Sequence, residues 1–254
     1  MMFGSRNERI VDFVIAGTQK GGTSSLNIYL REHPEICMAD RKEAHFFDNE
    51  DFFAKKKAPY REYHSLFRLR GTYKLIGEAT PIYMYWQDAP RRIWEYNPNM
   101  KIIILLRNPI DRAYSHWNME RLRNADSLSF WEAIKNEPDR CRTALPYQHR
   151  VYSYTDRGFY LEQLRRIWRF FPKHQVLVLK SEYLKYQPNE ALREVCEFLE
   201  VGRVGNIEVK TVHSRPYASG MSDREKKYLR LIFQYEIRNI ERVLGWDCED
   251  WLAD

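Results

Sequence analysis

The sequence predicts an α/β fold, a central, mostly parallel sheet flanked by helices, and three features predict it. Short runs rich in branched apolar residues alternate with stretches of helical spacing, the pattern of a parallel sheet covered on both faces. The first run passes straight into a glycine-rich turn and then a helix, in Val11-Asp-Phe-Val-Ile-Ala-Gly-Thr-Gln-Lys-Gly-Gly-Thr-Ser-Ser-Leu26. The length, 254 residues, suits one sheet-centred unit, so 1–254 is read as a single domain.

Taken in order, Ile10 to Ala16 reads as a buried strand, being short, branched and bounded by polar residues. Thr23 is the expected N-cap of a helix over 23–33, because Leu26, Tyr29 and Leu30 recur at helical spacing behind it. Residues 34–72 mix aromatic and charged residues and are too long for a simple connector. Tyr73 to Gly77 is the next strand and 88–97 the next helix, followed by the aliphatic run Lys101 to Leu106 and a helix over 109–121 that Pro109 opens. Further helices are expected over 129–136, 159–171 and 189–200, with a strand at Gln175 to Leu179. Residues 202–222 carry Gly202, Gly205, Pro216 and Gly220 among basic and hydroxyl residues and read as a second long loop. Leu229, Ile232, Phe233, Ile240, Val243 and Leu244 form the stripe of a final helix that Gly245 ends.

Lys and Arg total 41 against 35 Asp and Glu, a net charge of +6 that favours an anionic partner without choosing among nucleotide, sulfated sugar and nucleic acid. The four cysteines, Cys37, Cys141, Cys196 and Cys248, form no C-x-x-C pair, which argues against a metal knuckle or redox dithiol and for reduced thiols in a cytoplasmic protein. No apolar stretch is long enough to be a signal core or a membrane span, so the chain is expected to be soluble.

The glycine-rich turn is built to hold an anion. Gly17, Gly21 and Gly22 allow successive N–H groups to converge on a phosphate, and the positive end of the following helix points the same way. The order Gly17-x-x-Lys20-Gly21-Gly22-Thr23 departs from the G-x-x-x-x-G-K-[ST] of nucleotide hydrolases, in which lysine directly precedes the magnesium-binding hydroxyl. A second constellation, Arg107-Asn-Pro-Ile-Asp-Arg-Ala-Tyr-Ser115, follows another buried strand. Ligands of open parallel sheets bind beyond the strands' carboxyl ends, so Arg107 and the first loop are expected to face one molecule, with Arg112 and Ser115 as donors to a second phosphate.

Together these two motifs resemble those of sulfotransferases that use 3′-phosphoadenosine 5′-phosphosulfate (PAPS). The resemblance implies a P-loop-like nucleotide-binding fold in which Lys20, Gly21, Gly22, Thr23 and Ser24 hold the 5′-phosphosulfate, while Arg107 and Ser115 hold the 3′-phosphate. It extends through Gly77-Glu-Ala-Thr-Pro81, Arg157-Gly-Phe-Tyr160, Trp168-Arg-Phe-Phe-Pro172 and the loop at 213–221, where Arg215 aligns as a phosphate ligand. Arg41-Lys-Glu-Ala-His-Phe-Phe-Asp48 is similar to the segment with the catalytic glutamate in heparan sulfate 3-O- and N-sulfotransferases, which maps that role onto Glu43, with His45 and Asp48 as further polar positions. Where 3-O-sulfating members carry a lysine after the Glu of the Glu-x-Thr-Pro motif, this chain has Ala79, which leaves the acceptor open.

The implied reaction is metal-free in-line transfer of a sulfuryl group to a hydroxyl or amine, with adenosine 3′,5′-bisphosphate (PAP) leaving. Lys20 would neutralise the leaving oxygen and Glu43 would take the acceptor proton, with His45 as orienter or alternative base. The acceptor is a small molecule or a glycan, and the aromatics Phe46, Phe47, Phe52, Phe53, Tyr60, Tyr63 and Phe67 are candidates for lining its groove or for core packing. Two other classes stay open: a nucleotide-dependent kinase, against which stands the lack of an aspartate closing the run at Leu106, and a non-enzymatic module for anionic polymers. No nucleic-acid motif is present, and no partner or oligomeric state is legible.

Overall fold

In the computed structural model, residues 10–69, 73–203 and 220–253 are described. The elements run β1 (Phe13–Gly17), α1 (Thr23–Arg31), β2 (Ile36–Met38), α2 (Glu50–Phe53), α3 (Tyr60–His64), β3 (Leu75–Ala79) and α4 (Ala89–Tyr96). They continue with β4 (Lys101–Leu106), α5 (Pro109–Leu122), α6 (Phe130–Lys135), α7 (Glu137–Cys141), α8 (Tyr160–Trp168) and β5 (Val176–Lys180). The chain closes with α9 (Ser181–Tyr186), α10 (Pro188–Leu199), α11 (Asp223–Leu244) and α12 (Glu249–Leu252).

The five strands form one sheet in the order β2-β3-β1-β4-β5, with every pairing parallel. Side chains alternate across it. Val14 and Ala16 of β1 and Ile102, Ile104 and Leu106 of β4 enter one core with α5, α8 and α11. Phe13, Ile15, Ile103 and Leu105 enter the other with Leu26 and Leu30 of α1 and Leu192 and Val195 of α10. Burial on both faces is why these strands read as continuous apolar runs.

The expected strands all form, shifted by up to three residues at their ends, with β4 as read. β2 lies inside the 34–72 stretch that carried no strand signal, since three residues offer no periodicity to detect. The N-cap of α1 is Gly22 and not Thr23: Gly22 sits at φ 95°, and no side chain caps the helix. α5 is capped instead by Asn108, whose side chain accepts from the Ile110 N–H at 3.0 Å, with Pro109 in the first turn as anticipated. α11 starts earlier than its apolar stripe, at a capping box between Ser222 and Glu225, and ends at Gly245 with φ 68°.

One glycine fixes the register at the sheet's centre. Gly77 pairs with Phe13, and a Cβ there would lie 2.1 Å from the Phe13 ring, which is fully buried. Gly77→Ala is therefore expected to cost about 1–3 kcal/mol through overpacking. Urea unfolding checks this; an unchanged midpoint would show that the ring has room to move.

Candidate active site

The first turn is held against the sheet by its backbone. β1 carries an irregularity against β4 between Ile15 and Gly17, after which the Thr18 N–H donates to the Leu105 carbonyl at 2.9 Å and the Gly21 N–H to the Thr18 carbonyl at 2.9 Å. The glycines serve different ends. Gly22 is the one in the left-handed region, whereas Gly21 is needed for space, since a Cβ there would sit 2.4 Å from the Leu105 carbonyl oxygen. Lys20 itself adopts φ 71°, an uncommon conformation for a non-glycine residue that the surrounding turn enforces. With no side chain at its cap, α1 presents its first-turn donors and its positive dipole end at the turn.

The second turn leaves the adjacent strand. Arg107 follows β4 directly, and its guanidinium donates to the Lys20 carbonyl oxygen at 3.4 Å, so the two motifs meet. The Arg107 carbonyl in turn accepts from the Tyr160 hydroxyl at 2.7 Å, which explains the fully buried Tyr160 as a prop for this corner. Ser115 is 6% exposed one helical turn beyond Arg112. Arg112 differs from expectation: it is fully enclosed and donates to the Tyr154 carbonyl, and burial holds its pKa below the ordinary arginine value. Beside it His116 is also enclosed, and burial together with the charges of Arg157, Arg112 and Lys20 keeps it neutral. A cavity of about 370 Å³ opens next to Arg107, lined also by Asp111, Tyr114, Gly220, Met221 and Lys226. Arg215, in the segment that leads to Gly220, lies outside the described residues.

The third group hangs from the carboxyl ends of β2 and β3. The Ala39 N–H donates to the Gly77 carbonyl and the Glu43 N–H to the Ala79 carbonyl, each at 2.9 Å, which lays residues 39–49 as a strap across that edge. Glu43 and His45 adopt φ of 63° and 51°. The Glu43 carboxylate receives Lys42 Nζ at 2.6 Å and faces His45 Nε2 at 3.5 Å, while His45 Nδ1 lies 2.9 Å from Asp48 Oδ2. Arg150 donates to both the side chain and the carbonyl of the fully buried Asp48. Burial would raise the pKa of Glu43, but the hydrogen bond from His45 and the charge of Lys42 outweigh it and lower it to about 2. Hydrogen bonds to Asp48 and Glu43 outweigh burial at His45 and raise its pKa to about 9. At neutral pH the pair is therefore carboxylate and imidazolium.

A cavity of about 450 Å³ adjoins this group, lined by His45, Asn49, Glu50, Asp51, Trp86, Tyr147 and Arg150. None of the seven aromatics singled out between 46 and 67 lines it. Phe46, Phe47 and Tyr63 are buried core, with Phe46 stacked on Tyr63 at 4.6 Å, and Phe52, Phe53, Tyr60 and Phe67 pack against them. The aromatic walls are instead Trp86 and Tyr147, stacked at 6.3 Å, with Arg150 over Trp86 at 4.3 Å. Ala79 is 1% exposed and belongs to the core on the other face of the sheet.

One segment joins the two halves of the site. Arg157, 2% exposed, donates to Gln19 of the glycine-rich turn at 2.5 Å, to Ser153 at 2.8 Å and to the Arg150 carbonyl at 2.7 Å, while Arg150 grips Asp48 of the strap. Gln19 and Arg150 escaped the sequence reading, because neither belongs to a spaced pattern and Arg150 lies 102 residues from its partner. Among the described residues, no group of three or more His, Cys, Asp or Glu side chains is arranged to hold a metal, and no helix is long and apolar enough to cross a membrane.

The chain is 31% identical to human heparan sulfate glucosamine 3-O-sulfotransferase 6 over 79% of its own length and 55% of that protein. It is 23% identical to the membrane-associated sulfotransferase kil1 of Dictyostelium discoideum over 93% of its length and 65% of that protein, so it spans between half and two thirds of these relatives. The crystal structure of a sulfotransferase from Alicyclobacillus acidocaldarius superposes with a TM-score of 0.81 at 29% identity, covering 96% of this chain and 100% of that one. Mouse sulfotransferase SULT7A1 complexed with PAP shares the fold, with a TM-score of 0.57 at 12% identity over 94% of this chain and 88% of that one. Residues 11–215 match the family model of the sulfotransferase domain, and by that match, which takes in both turns and the strap, the chain belongs to the sulfotransferase family.

Proposed function

We propose that this chain moves a sulfuryl group from PAPS to a hydroxyl of a carbohydrate acceptor, with Lys20, Glu43 and His45 at the reacting centre. The observation that carries the reading is the contact between Arg107 and the Lys20 carbonyl, which brings a cation from one motif against the lysine of the other at a single edge of the sheet. The carbohydrate acceptor is supported by the heparan sulfate enzymes among the relatives and by a cavity beside His45 that combines an aromatic face with charged and amide side chains. No disulfide joins the four cysteines, which supports a reducing compartment such as the cytoplasm, and the two cores share one sheet, which supports a single domain.

The residues present fit an adenosine bisphosphate nucleotide. Gly21, whose N–H is taken by the Thr18 carbonyl, has no room for a Cβ and shapes the turn, Gly22 supplies its left-handed residue, and α1 begins without a side-chain cap, so Gly22 to Ser24 can offer N–H groups to a 5′-phosphate. Arg107 and Ser115 serve the 3′-phosphate, with Arg215 assigned to the same end. When bound, the nucleotide supplies an activated sulfuryl group. As the acceptor oxygen bonds to sulfur and the sulfur–oxygen bond to the phosphate breaks, Lys20 meets the charge gathering on the leaving oxygen. Glu43 takes the acceptor's proton. With its pKa raised to about 9, His45 takes the orienting role: its cation, seated on Asp48, holds the Glu43 carboxylate in place. A carboxylate held near pKa 2 by Lys42 and His45 is a weak base, so the acceptor hydroxyl has to displace Lys42 for the proton to move.

Lys20→Ala is expected to cut turnover by about 10²–10³, the usual cost of losing a charge-stabilising donor, while leaving the melting temperature in place. Glu43→Gln should do the same to turnover with PAP affinity intact. Radiolabelled sulfate transferred from PAPS to heparan sulfate, set beside transfer to a simple phenol, reads both. Label on the phenol alone would remove the carbohydrate acceptor, and parental turnover by Glu43→Gln would remove the base.

For Arg107→Ala the loss should fall on the nucleotide. A charge-assisted hydrogen bond of about 1.5–3 kcal/mol corresponds to roughly 10- to 150-fold weaker PAP binding, measurable by calorimetry. Equal affinity in the variant would take Arg107 out of the site.

The pH dependence follows from the two shifted groups. His45 has a raised pKa, so its ion pairs are complete below its ordinary 6.5 and are lost as pH rises through about 9. Glu43 has a lowered pKa, so its contribution is complete above its ordinary 4.5 and is lost as pH falls toward 2. Turnover should stay level from about pH 5 to 8 and fall above about 9, a limb absent in His45→Gln; a profile centred on pH 6.5 would contradict the imidazolium.

A further inference from the structure

A buried carboxylate behind the strap has no part in the chemistry above. Glu78, on β3 and 1% exposed, accepts three hydroxyls: Tyr63 at 3.0 Å and Tyr83 at 2.9 Å on one oxygen, Thr80 at 2.6 Å on the other. The Tyr83 oxygen in turn accepts the backbone N–H groups of Phe46 at 3.0 Å and Phe47 at 3.4 Å. The proton inventory gives this chain of bonds a direction. With both lone pairs of Tyr83 taken by N–H donors, its single hydrogen goes to the Glu78 oxygen 2.9 Å away, and burial raises the pKa of that carboxyl. Phe46 and Phe47 lie between His45 and Asp48, so the clamp grips the strap at its middle, next to two residues, Glu43 and His45, whose φ angles are positive.

We propose that Tyr83, oriented by Glu78, is the positioning residue that holds Glu43 and His45 in register with Asp48. The inference rests on the roles assigned to Glu43 and His45, but the exchange and titration arms of its test do not. Tyr63 supplies an internal control, because its hydroxyl binds the same carboxylate while no strap N–H donates to it. Tyr83→Phe keeps the ring and its packing and leaves two strap N–H groups without an acceptor. Tyr63→Phe removes a comparable buried hydroxyl and leaves the strap alone.

Three readouts separate positioning from general loss of stability. In Tyr83→Phe the amides of Phe46 and Phe47 should exchange with deuterium at least tenfold faster. The imidazole titration of His45, followed by NMR, should fall from about 9 toward 6.5 as Glu43, Asp48 and Arg150 lose their alignment with it. With radiolabelled PAPS and heparan sulfate, kcat should drop about 10- to 100-fold with PAP affinity within twofold, as a displacement near 1 Å would produce. Tyr63→Phe should lower the melting temperature comparably and keep all three near parental values. Equal losses in the two variants, or parental exchange and titration in Tyr83→Phe, would overturn the proposal. Should Tyr83→Phe not fold, the parent decides: Phe46 and Phe47, in a loop, should exchange as slowly as β1, and rapid exchange there would overturn it. A Glu43→Gln enzyme with parental turnover would sink the base assignment while leaving the exchange and titration tests of the clamp standing.

Discussion

The hydrogen bond from Arg107 to the Lys20 carbonyl exists because β1 and β4 are parallel neighbours at the centre of the sheet. In a parallel sheet all carboxyl ends share one edge, so the turn after β1, the turn after β4 and the strap after β2 are delivered to the same side without any long-range design. An antiparallel arrangement would have sent Arg107 to the opposite edge. The backbone bonds from Thr18 to the Leu105 carbonyl and from Glu43 to the Ala79 carbonyl extend this logic, each tying a functional loop to the strand beside its own.

Against that rigid edge the protein holds residues in conformations they would not choose. Lys20, Glu43 and His45 all have positive φ, a cost of order 1–3 kcal/mol each that packed surroundings must offset. The offset is visible as anchors: Gln19 on Arg157, Asp48 on Arg150, and the strap amides on Tyr83. Charges are treated the same way. The buried Asp48 is stabilised as an anion by His45 and Arg150, and Glu43 by His45 and Lys42, so the strap carries alternating charges that cohere only in one geometry.

Much of this was legible from the sequence because the signals are local. A glycine-rich turn after an apolar run, and Arg107 at the end of another, are read from a dozen neighbouring residues, and the strands that carry them fell within three residues of their expected ends. The misses share a cause. β2 has three residues and no period; Gly22 took the cap because the turn needed a left-handed residue where Thr23 would have been strained. Arg112 was read with Ser115 as a donor to a second phosphate, yet α5 is buried on nearly every side and Arg112 turns inward, to Tyr154. The aromatics of 46–67 were ambiguous between groove and core, and aromatic pairing among themselves decided for the core.

Of the segment that carries Arg150 and Arg157 only Arg157-Gly-Phe-Tyr160 was legible, through the family resemblance, and its position ties both halves of the site to one stretch of chain. Arg157 is held below its ordinary pKa by burial, to about 10, and its donors are spent on Gln19, Ser153 and the Arg150 carbonyl. Arg150 then spends its own on Asp48, and Asp48 seats the imidazolium that faces Glu43. From the turn that holds Lys20 to the Glu43 carboxylate, the path runs through side-chain hydrogen bonds, the backbone carbonyl of Arg150 and the His45–Glu43 ion pair. The turn and the strap are thereby each anchored to the same segment, Gln19 through Arg157 and Asp48 through Arg150, and not to one another directly.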